Sequence, residues 1–372
     1  MPKRFDLIVF GASGFTGRLV AEYLNRTCGV GGELAWALAD LARQSRAILT
    51  TVGPYQRYGR ELVSACARAG TDYVDLCGEP LWMAQMIPLL EPPAKESGAR
   101  IVFSCGFDSI PFDLGAVFLQ DEARRRFATP LVRVHGRVRK MKGKPSGGTI
   151  ASALATVEQA VRDPAARRTM ADPFALTPGF KGPRQPAGEL VAYDELAASW
   201  TAPFIMAPIN TKNVHRTHAL LGHPWGRDFV YDERMLAGDG ADGERRAKRM
   251  RSALRIQNAL LALAPTRALL RRFALPKPGE GPDAKAREAG GYELLFIGEA
   301  ADGRTLRASV RGEGDPGYAS SSKMISESAL CLLNDVDRAR TGGGVWTPGA
   351  AMGLKLIPRL QARAGLVFAI EN

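Results

Sequence analysis

Short apolar runs alternating with stretches of helical spacing dominate the first third of the chain. Leu7 to Phe10 reads as a buried strand, and Leu19, Val20, Tyr23 and Leu24 then recur at helical spacing. The alternation continues through strands at Glu33–Ala39, Ala47–Val52, Asp72–Cys77 and Arg100–Cys105. Helices fall between the last three, over Glu61–Ala69 and around Trp82, Met83, Met86 and Ile87. Strands alternating with helices predict a parallel, doubly wound sheet, whose ligands lie at the carboxyl ends of the strands. Four strand ends carry Gly, Pro, Asp or Glu, so those loops are the expected site.

The first of these ends is Gly11-Ala-Ser-Gly-Phe-Thr-Gly17, placed between a strand and a helix. Gly11 permits a tight turn, Gly14 lets backbone N–H groups approach a pyrophosphate, and Gly17 allows close helix–strand packing. The phosphates then sit at a helix N-terminus, where free N–H groups and the dipole favour an anion. Asp40 closes the second strand at the position that commonly accepts ribose hydroxyls, and it also suits an N-cap. Only Leu41–Arg46 separates it from the next strand, whereas a parallel crossover takes a dozen or more residues. The third strand of a nucleotide-binding half is therefore expected to be missing or replaced.

Beyond residue 128 the pattern changes. Leu131–Arg139 alternates, with Val132, Val134, Gly136 and Val138 on one face and Arg133, His135, Arg137 and Arg139 on the other. The expectation is a half-buried strand whose basic face is solvated or meets an acidic ligand. Gly147 begins a helix, Asp163–Gly188 reads as an extended loop, and Phe204–Pro208 as an apolar strand-like segment. Residues 244–273 read as a basic amphipathic helix pair interrupted at Pro265, suited to a carrier domain, an anionic membrane or a solvated packing face. Tyr292–Arg311 reads as a hairpin about Asp302-Gly303, and Ser320–Leu333 as a helix.

The net charge of +12 over 372 residues points to acidic partners. Five dispersed cysteines without a C-x-x-C pair argue for a reducing compartment, and the chain enters a strand at once, so a cytoplasmic or membrane-peripheral protein is expected. His215, His218 and His223 have no neighbouring carboxylate or Cys, and Lys212 and Arg216 disfavour a cation there, so no metal is expected. No aromatic-basic module supports nucleic-acid binding.

Gly11–Gly17, Thr51-Val-Gly-Pro-Tyr55, Thr71-Asp-Tyr-Val-Asp75 with Gly78-Glu79, and Cys105-Gly-Phe-Asp-Ser-Ile-Pro111 occur in this order. Ser146–Ser152, Ala207-Pro-Ile-Asn210, Gly314–Tyr318, Thr347-Pro348 and Ala350-Ala-Met352 follow. The set resembles the saccharopine dehydrogenase-like oxidoreductases, and within them the bacterial branch that includes mycobacterial trans-acting enoyl reductases. The resemblance implies an α/β protein with a Rossmann-like domain over 1–128, completed by 316–372, and an inserted α+β substrate domain over 129–315. It implies NADP or NAD as cofactor. The matching cofactor positions are Gly11, Ser13, Gly14, Phe15, Thr16, Gly17, Thr51, Val52, Gly53, Pro54 and Cys105, with Asp40 added from its place after the second strand. Relatives carry a Gly-Arg pair, a helix and a third strand after the position of Ala39, about forty residues that this chain lacks, so cofactor preference does not carry over.

No Tyr-x-x-x-Lys pair and no Gly-x-Ser-x-Gly elbow is present. Hydride transfer needs a positioned nicotinamide and one acid, and Tyr55 and Asp108, each at a strand's carboxyl end, are the candidates. Asp108 also suits a cap for the helix after Pro111. The expected substrate is lipid-like or a carrier-bound enoyl chain, with an acyl carrier protein or anionic membrane as partner and a homodimer as one candidate assembly. The alternatives are amino-acid imine reduction, with Arg133, Arg137 and Arg139 holding carboxylates, and a cofactor-impaired binding protein.

Overall fold

A computed structural model describes residues 5–28, 42–143, 147–273 and 281–371. The expected strand at Glu33–Ala39 and Asp40 lie outside the described residues. The chain is an α/β protein built on two sheets. The first has five parallel strands in the order β1 (Phe5–Phe10), β2 (Ser45–Thr50), β3 (Asp72–Asp75), β4 (Arg100–Val102) and β11 (Gly344–Trp346). β2 lies directly on β1, pairing Leu7 with Ala47 and Val9 with Leu49.

Adjacent residues of these strands enter different cores. Val9, Leu49, Val74 and Val102 pack with the helices Phe15–Cys28 and Ser321–Asn334, while Ile8, Ile48, Tyr73 and Ile101 pack with Arg60–Ala69 and Pro80–Ser97. Successive side chains of a strand point to opposite faces, so this sheet is covered on both.

The second sheet has seven strands. They are, in spatial order, β12 (Leu366–Glu371), β10 (Thr305–Glu313), β9 (Gly291–Ala300), β5 (Leu131–Lys142), β8 (Val230–Gly238), β7 (Ser199–Pro203) and β6 (Ala192–Asp194). The C-terminal segment divides between the two sheets, β11 adding to the first and β12 to the second. The helix Ile110–Phe127 joins them. It packs so closely on β9 that a Cβ on Gly115 would stand 2.3 Å from the Phe296 ring.

Several segments differ from the sequence pattern. Within the expected loop 163–188, Pro164–Ala171 is helical, because the Asp163 carboxylate caps the Ala165 N–H at 2.8 Å and Pro164 occupies the first turn. The strand expected at Phe204–Pro208 lies earlier, at β7, and Ala207 already starts the helix Ala207–Leu220. Val132 is exposed, because an irregularity in register between Leu131 and Arg133 turns it outward.

The basic face of β5 is neither solvated nor open to a ligand at its centre. Arg137 donates to Asp194 at 2.6 Å and Asp232 at 2.9 Å, and His135 lies 3.0 Å from Asp232 and 2.9 Å from Glu299. Burial would raise the Asp232 carboxyl, but the His135 and Arg137 contacts outweigh it and hold it below the usual range. Arg139 is paired with Glu371 and Glu293. A buried cation is kept charged by carboxylates at contact distance, and here the protein supplies them itself.

One buried ion pair ties the first sheet to its covering helix. Arg100, 2% exposed, meets Asp72 through Nε and NH2 and donates to the Leu332 and Val336 carbonyls. Arg338, half exposed, also donates to Asp72 at 2.9 Å, so removing Arg100 leaves the buried carboxylate with this one cation and frees the Leu332 and Val336 carbonyls. Arg100→Met is therefore expected to cost about 1–3 kcal/mol of stability in equilibrium denaturation.

Candidate active site

The carboxyl ends of the first sheet's strands converge on the junction with the second sheet. At the end of β1, Gly11 has φ +92°, and a Cβ there would stand 2.6 Å from the Val52 side chain. A Cβ on Gly17 would lie 1.9 Å from the Gly11 carbonyl oxygen, so helix and strand meet at a distance only glycine allows. Gly14 donates to Gly11 O at 2.9 Å, and a Cβ on Gly14 would meet only that oxygen, leaving open space beyond. The loop is thus a cradle at a helix N-terminus, backed by Thr51 and Val52. Phe15 packs edge-on against Tyr318 at 4.8 Å, with the Arg287 guanidinium 5.3 Å from its ring centre.

Two buried carboxylates hold the neighbouring loops. The Asp75 carboxylate accepts from Cys77 N at 2.9 Å, Ser104 N at 3.0 Å and Tyr73 OH at 3.1 Å, joining the ends of β3 and β4. Glu79 accepts from Tyr55 N at 2.8 Å, Gln56 N at 3.0 Å and Ser152 Oγ at 2.7 Å. It therefore fixes the turn after Gly53-Pro54 and the helix Gly147–Arg162 at one point.

Tyr55 is 4% exposed, and its hydroxyl donates to Thr50 O at 3.2 Å while accepting from Leu76 N at 3.1 Å. Burial raises its pKa well above the ordinary phenol value. The hydroxyl bridges the ends of β2 and β3. Cys105 is fully buried, with its N–H on Asp75 O at 2.7 Å.

Asp108 stands at the junction itself. A Cβ on Gly78 would lie 3.4 Å from its Oδ2, and its carboxylate has no hydrogen-bond partner among the described residues. Burial pushes it up to about 7. The next residue, Ser109, accepts from Asn213 Nδ2 at 2.8 Å. One helical turn earlier, Asn210 Nδ2 donates to Glu233 at 3.0 Å, and Tyr231 OH donates to the same carboxyl at 2.9 Å. Glu233 is raised well above the usual range, first by burial and further by the charges of Asp232 and Asp108. The Oδ1 atoms of Asn210 and Asn213 are buried without a partner among the described residues.

The sequence singled out Asp108 and Tyr55 but passed over Glu233, because Asp232-Glu-Arg234 interrupts the apolar pattern of β8 and no strand was read there. Asn210, Ser152 and Glu79 were visible only as parts of quoted motifs. The three histidines on or after the helix Ala207–Leu220 are engaged with aromatic rings, His215 with Phe174, His218 with Trp225 and His223 with Phe180. No group of three metal-ligating side chains converges among the described residues.

Known proteins resolve the family. A Mycobacterium tuberculosis H37Rv protein, provisionally named a trans-acting enoyl reductase, is 39% identical over 97% of this chain and 96% of its own. Trans-acting enoyl reductases of Mycobacterium bovis BCG and Mycobacterium ulcerans are 34% identical, over 98% and 99% of this chain and 97% and 98% of theirs. The chain belongs to the trans-acting enoyl reductase family. It is an NAD(P)-dependent oxidoreductase. The alignment to the first relative runs over 415 positions, more than the 372 of this chain, so that relative carries residues absent here. No family model matches the chain. Apo saccharopine dehydrogenase (L-Glu forming) of Saccharomyces cerevisiae shares the fold, with a TM-score of 0.52 at 12% identity, covering 99% of this chain and 100% of that one.

Burial pushes three carboxyls, Asp75, Asp108 and Asp113, from 3.8 to about 7. The unfolded chain releases these protons first, so stability conferred by holding them is present at low pH and lost as pH rises through about 4 to 7. The melting temperature is expected to fall across that window. Asp113→Asn keeps an acceptor for the Gly349 N–H, 2.7 Å away, and should flatten the slope.

Proposed function

We propose that this protein reduces the carbon–carbon double bond of an enoyl acyl substrate, with NADPH or NADH as reductant. The observation that carries the reading is the charge at the junction. Asp75, Asp108, Asp113 and Glu233 are all raised by burial, and no cation contributes to any of them. A site whose acids are raised with no cation among the described residues to offset them suits a neutral acyl group and penalises a substrate that brings its own carboxylates. The imine-reducing alternative needed Arg133, Arg137 and Arg139 as carboxylate partners. Arg137 and Arg139 are engaged with the protein's own acids, which disfavours it.

The glycine cradle fits a dinucleotide: Gly11, Ser13, Gly14, Thr16 and Gly17 would hold the pyrophosphate, and Thr51 to Pro54 with Cys105 would border the nicotinamide. When bound, the reduced nicotinamide supplies the hydride for the β-carbon. Asp108 holds a proton below pH about 7 and is the donor for the α-carbon, leaving a carboxylate that water reprotonates. Tyr55 positions the β2 and β3 ends rather than giving a proton. Asn210 and Asn213 orient groups at the junction through their unpaired oxygens.

Titration with NADPH and NADH, read by nicotinamide fluorescence, should show micromolar binding that Gly17→Ala abolishes. Absence of binding to either at millimolar concentration overturns the reading. With an enoyl thioester, turnover should fall as pH rises through about 7, where the Asp108 carboxyl loses its proton. Asp108→Asn should lower kcat by roughly 10²–10⁴-fold and remove that limb while leaving cofactor affinity intact. An unchanged pH profile in the variant would assign the proton to another group.

A further inference from the structure

The helix Gly240–Ala262 is seated on the second sheet only at its start. Gly243 and Ala247 are its buried residues, and a Cβ on Gly243 would stand 2.0 Å from Gly238 O. From Lys248 no residue is buried until Arg267, in the next helix, Ala264–Phe273. That arginine donates to the Leu261 and Ala262 carbonyls at 2.8 and 3.1 Å, and Thr266 Oγ1 donates to Leu263 O at 3.0 Å. These bonds close the elbow between the two helices and satisfy carbonyls that a helix end leaves free.

The elbow exposes large apolar side chains. Ile256 is 61% exposed, Leu260 40%, Leu263 58% and Leu269 60%. Arg245, Arg249, Ser252, Ile256, Leu260 and Leu263 succeed one another at spacings of three and four, so they form one line opposite Gly243 and Ala247. The line is cationic at its base and apolar at its tip. Arg245 and Lys248 pair with Asp242 and Glu244 of the same helix, whereas Arg249 and Arg255 have no carboxylate partner among the described residues.

We propose that this hairpin, residues 245–270, docks the protein on an anionic lipid surface. The apolar tip enters the boundary between headgroups and acyl chains, and the arginine collar lies at the phosphates. A projecting tip fits a deformable surface, whereas a protein partner would need a matching groove, and a second copy would bring the same cations against these. No helix among the described residues is long and apolar enough to cross a membrane, so the contact is interfacial. The inference stands apart from the reaction at the junction, and cofactor binding provides an independent check on folding.

The test is co-sedimentation of the full chain with vesicles of phosphatidylcholine alone or mixed with phosphatidylglycerol. Binding to the mixed vesicles, weakened by salt, is expected. Arg249→Ser with Arg255→Ser should lower it about tenfold or more. Ile256→Asp with Leu263→Asp should abolish it, with nicotinamide binding unchanged in both variants. No binding to either vesicle, or binding that neither variant alters, overturns the proposal. So does a dimer in light scattering that Ile256→Asp with Leu263→Asp splits, or capture by an acidic carrier protein without any lipid binding.

Discussion

The geometry of the site depends on two carboxylates that never reach the solvent. Asp75 and Glu79 lie at the end of one short strand, β3, yet between them they accept five N–H or O–H donors from four separate loops or strands and one from the covering helix Gly147–Arg162. Loops at strand ends have no ladder of their own to fix them. Here each loop donates inward to a shared acceptor, so the loops are positioned relative to one another and not merely to their strands. An apolar core can bring these loops near each other, but only directional bonds set their register.

The helix Ile110–Phe127 extends this order to the second sheet. It starts at the loop holding Asp108 and Ser109 and runs over β9, where Gly115 admits the Phe296 ring. The helix Ala207–Leu220 approaches from the other side and reaches Ser109 through Asn213 and Glu233 through Asn210. Two helices and two sheets therefore meet where the polar groups are concentrated. A buried polar junction of this kind is costly unless nearly every group finds a partner, and the few unpaired oxygens stand out for that reason.

The first sheet was largely legible because its strands are short apolar runs bounded by glycine, and a parallel strand covered on both faces leaves that signature. The glycine cradle was legible for a stricter reason: Gly17 tolerates no side chain, so the requirement is written in the residue itself. The second sheet was harder to read. Its strand β5 alternates correctly, but alternation distinguishes two faces without saying whether the polar one meets water, a ligand or carboxylates from β8 and β6. Asp194 and Asp232 lie 57 and 95 residues beyond Arg137, and that pairing has no local signal. Glu233 was missed on a similar ground, since its partner Asn210 comes from a different helix, while Tyr231, two residues away on the same strand, gives no signal alone. Pro164 and Asp163 did carry a helix signal, a capping acid before a proline, which the surrounding Pro and Gly content obscured.

The distribution of charge links fold to chemistry. The chain carries +12, yet Arg137 and Arg139 of the second sheet are spent on internal carboxylates, and the junction beside Asp108 raises its acids without a cation among the described residues contributing. The uncompensated positive charge includes the outer helix, far along the chain from the glycine cradle. A protein built to grip a carboxylate substrate would place its free arginines at the site and hold its acids ionised. This arrangement does the reverse: burial raises Asp108 and Glu233, and no cation among the described residues offsets it. It leaves Arg249 and Arg255 exposed and without a carboxylate partner among the described residues. The enoyl reduction we propose, which adds a hydride and a proton to an apolar chain, asks for that separation, because its site must supply a proton without stabilising a charged substrate.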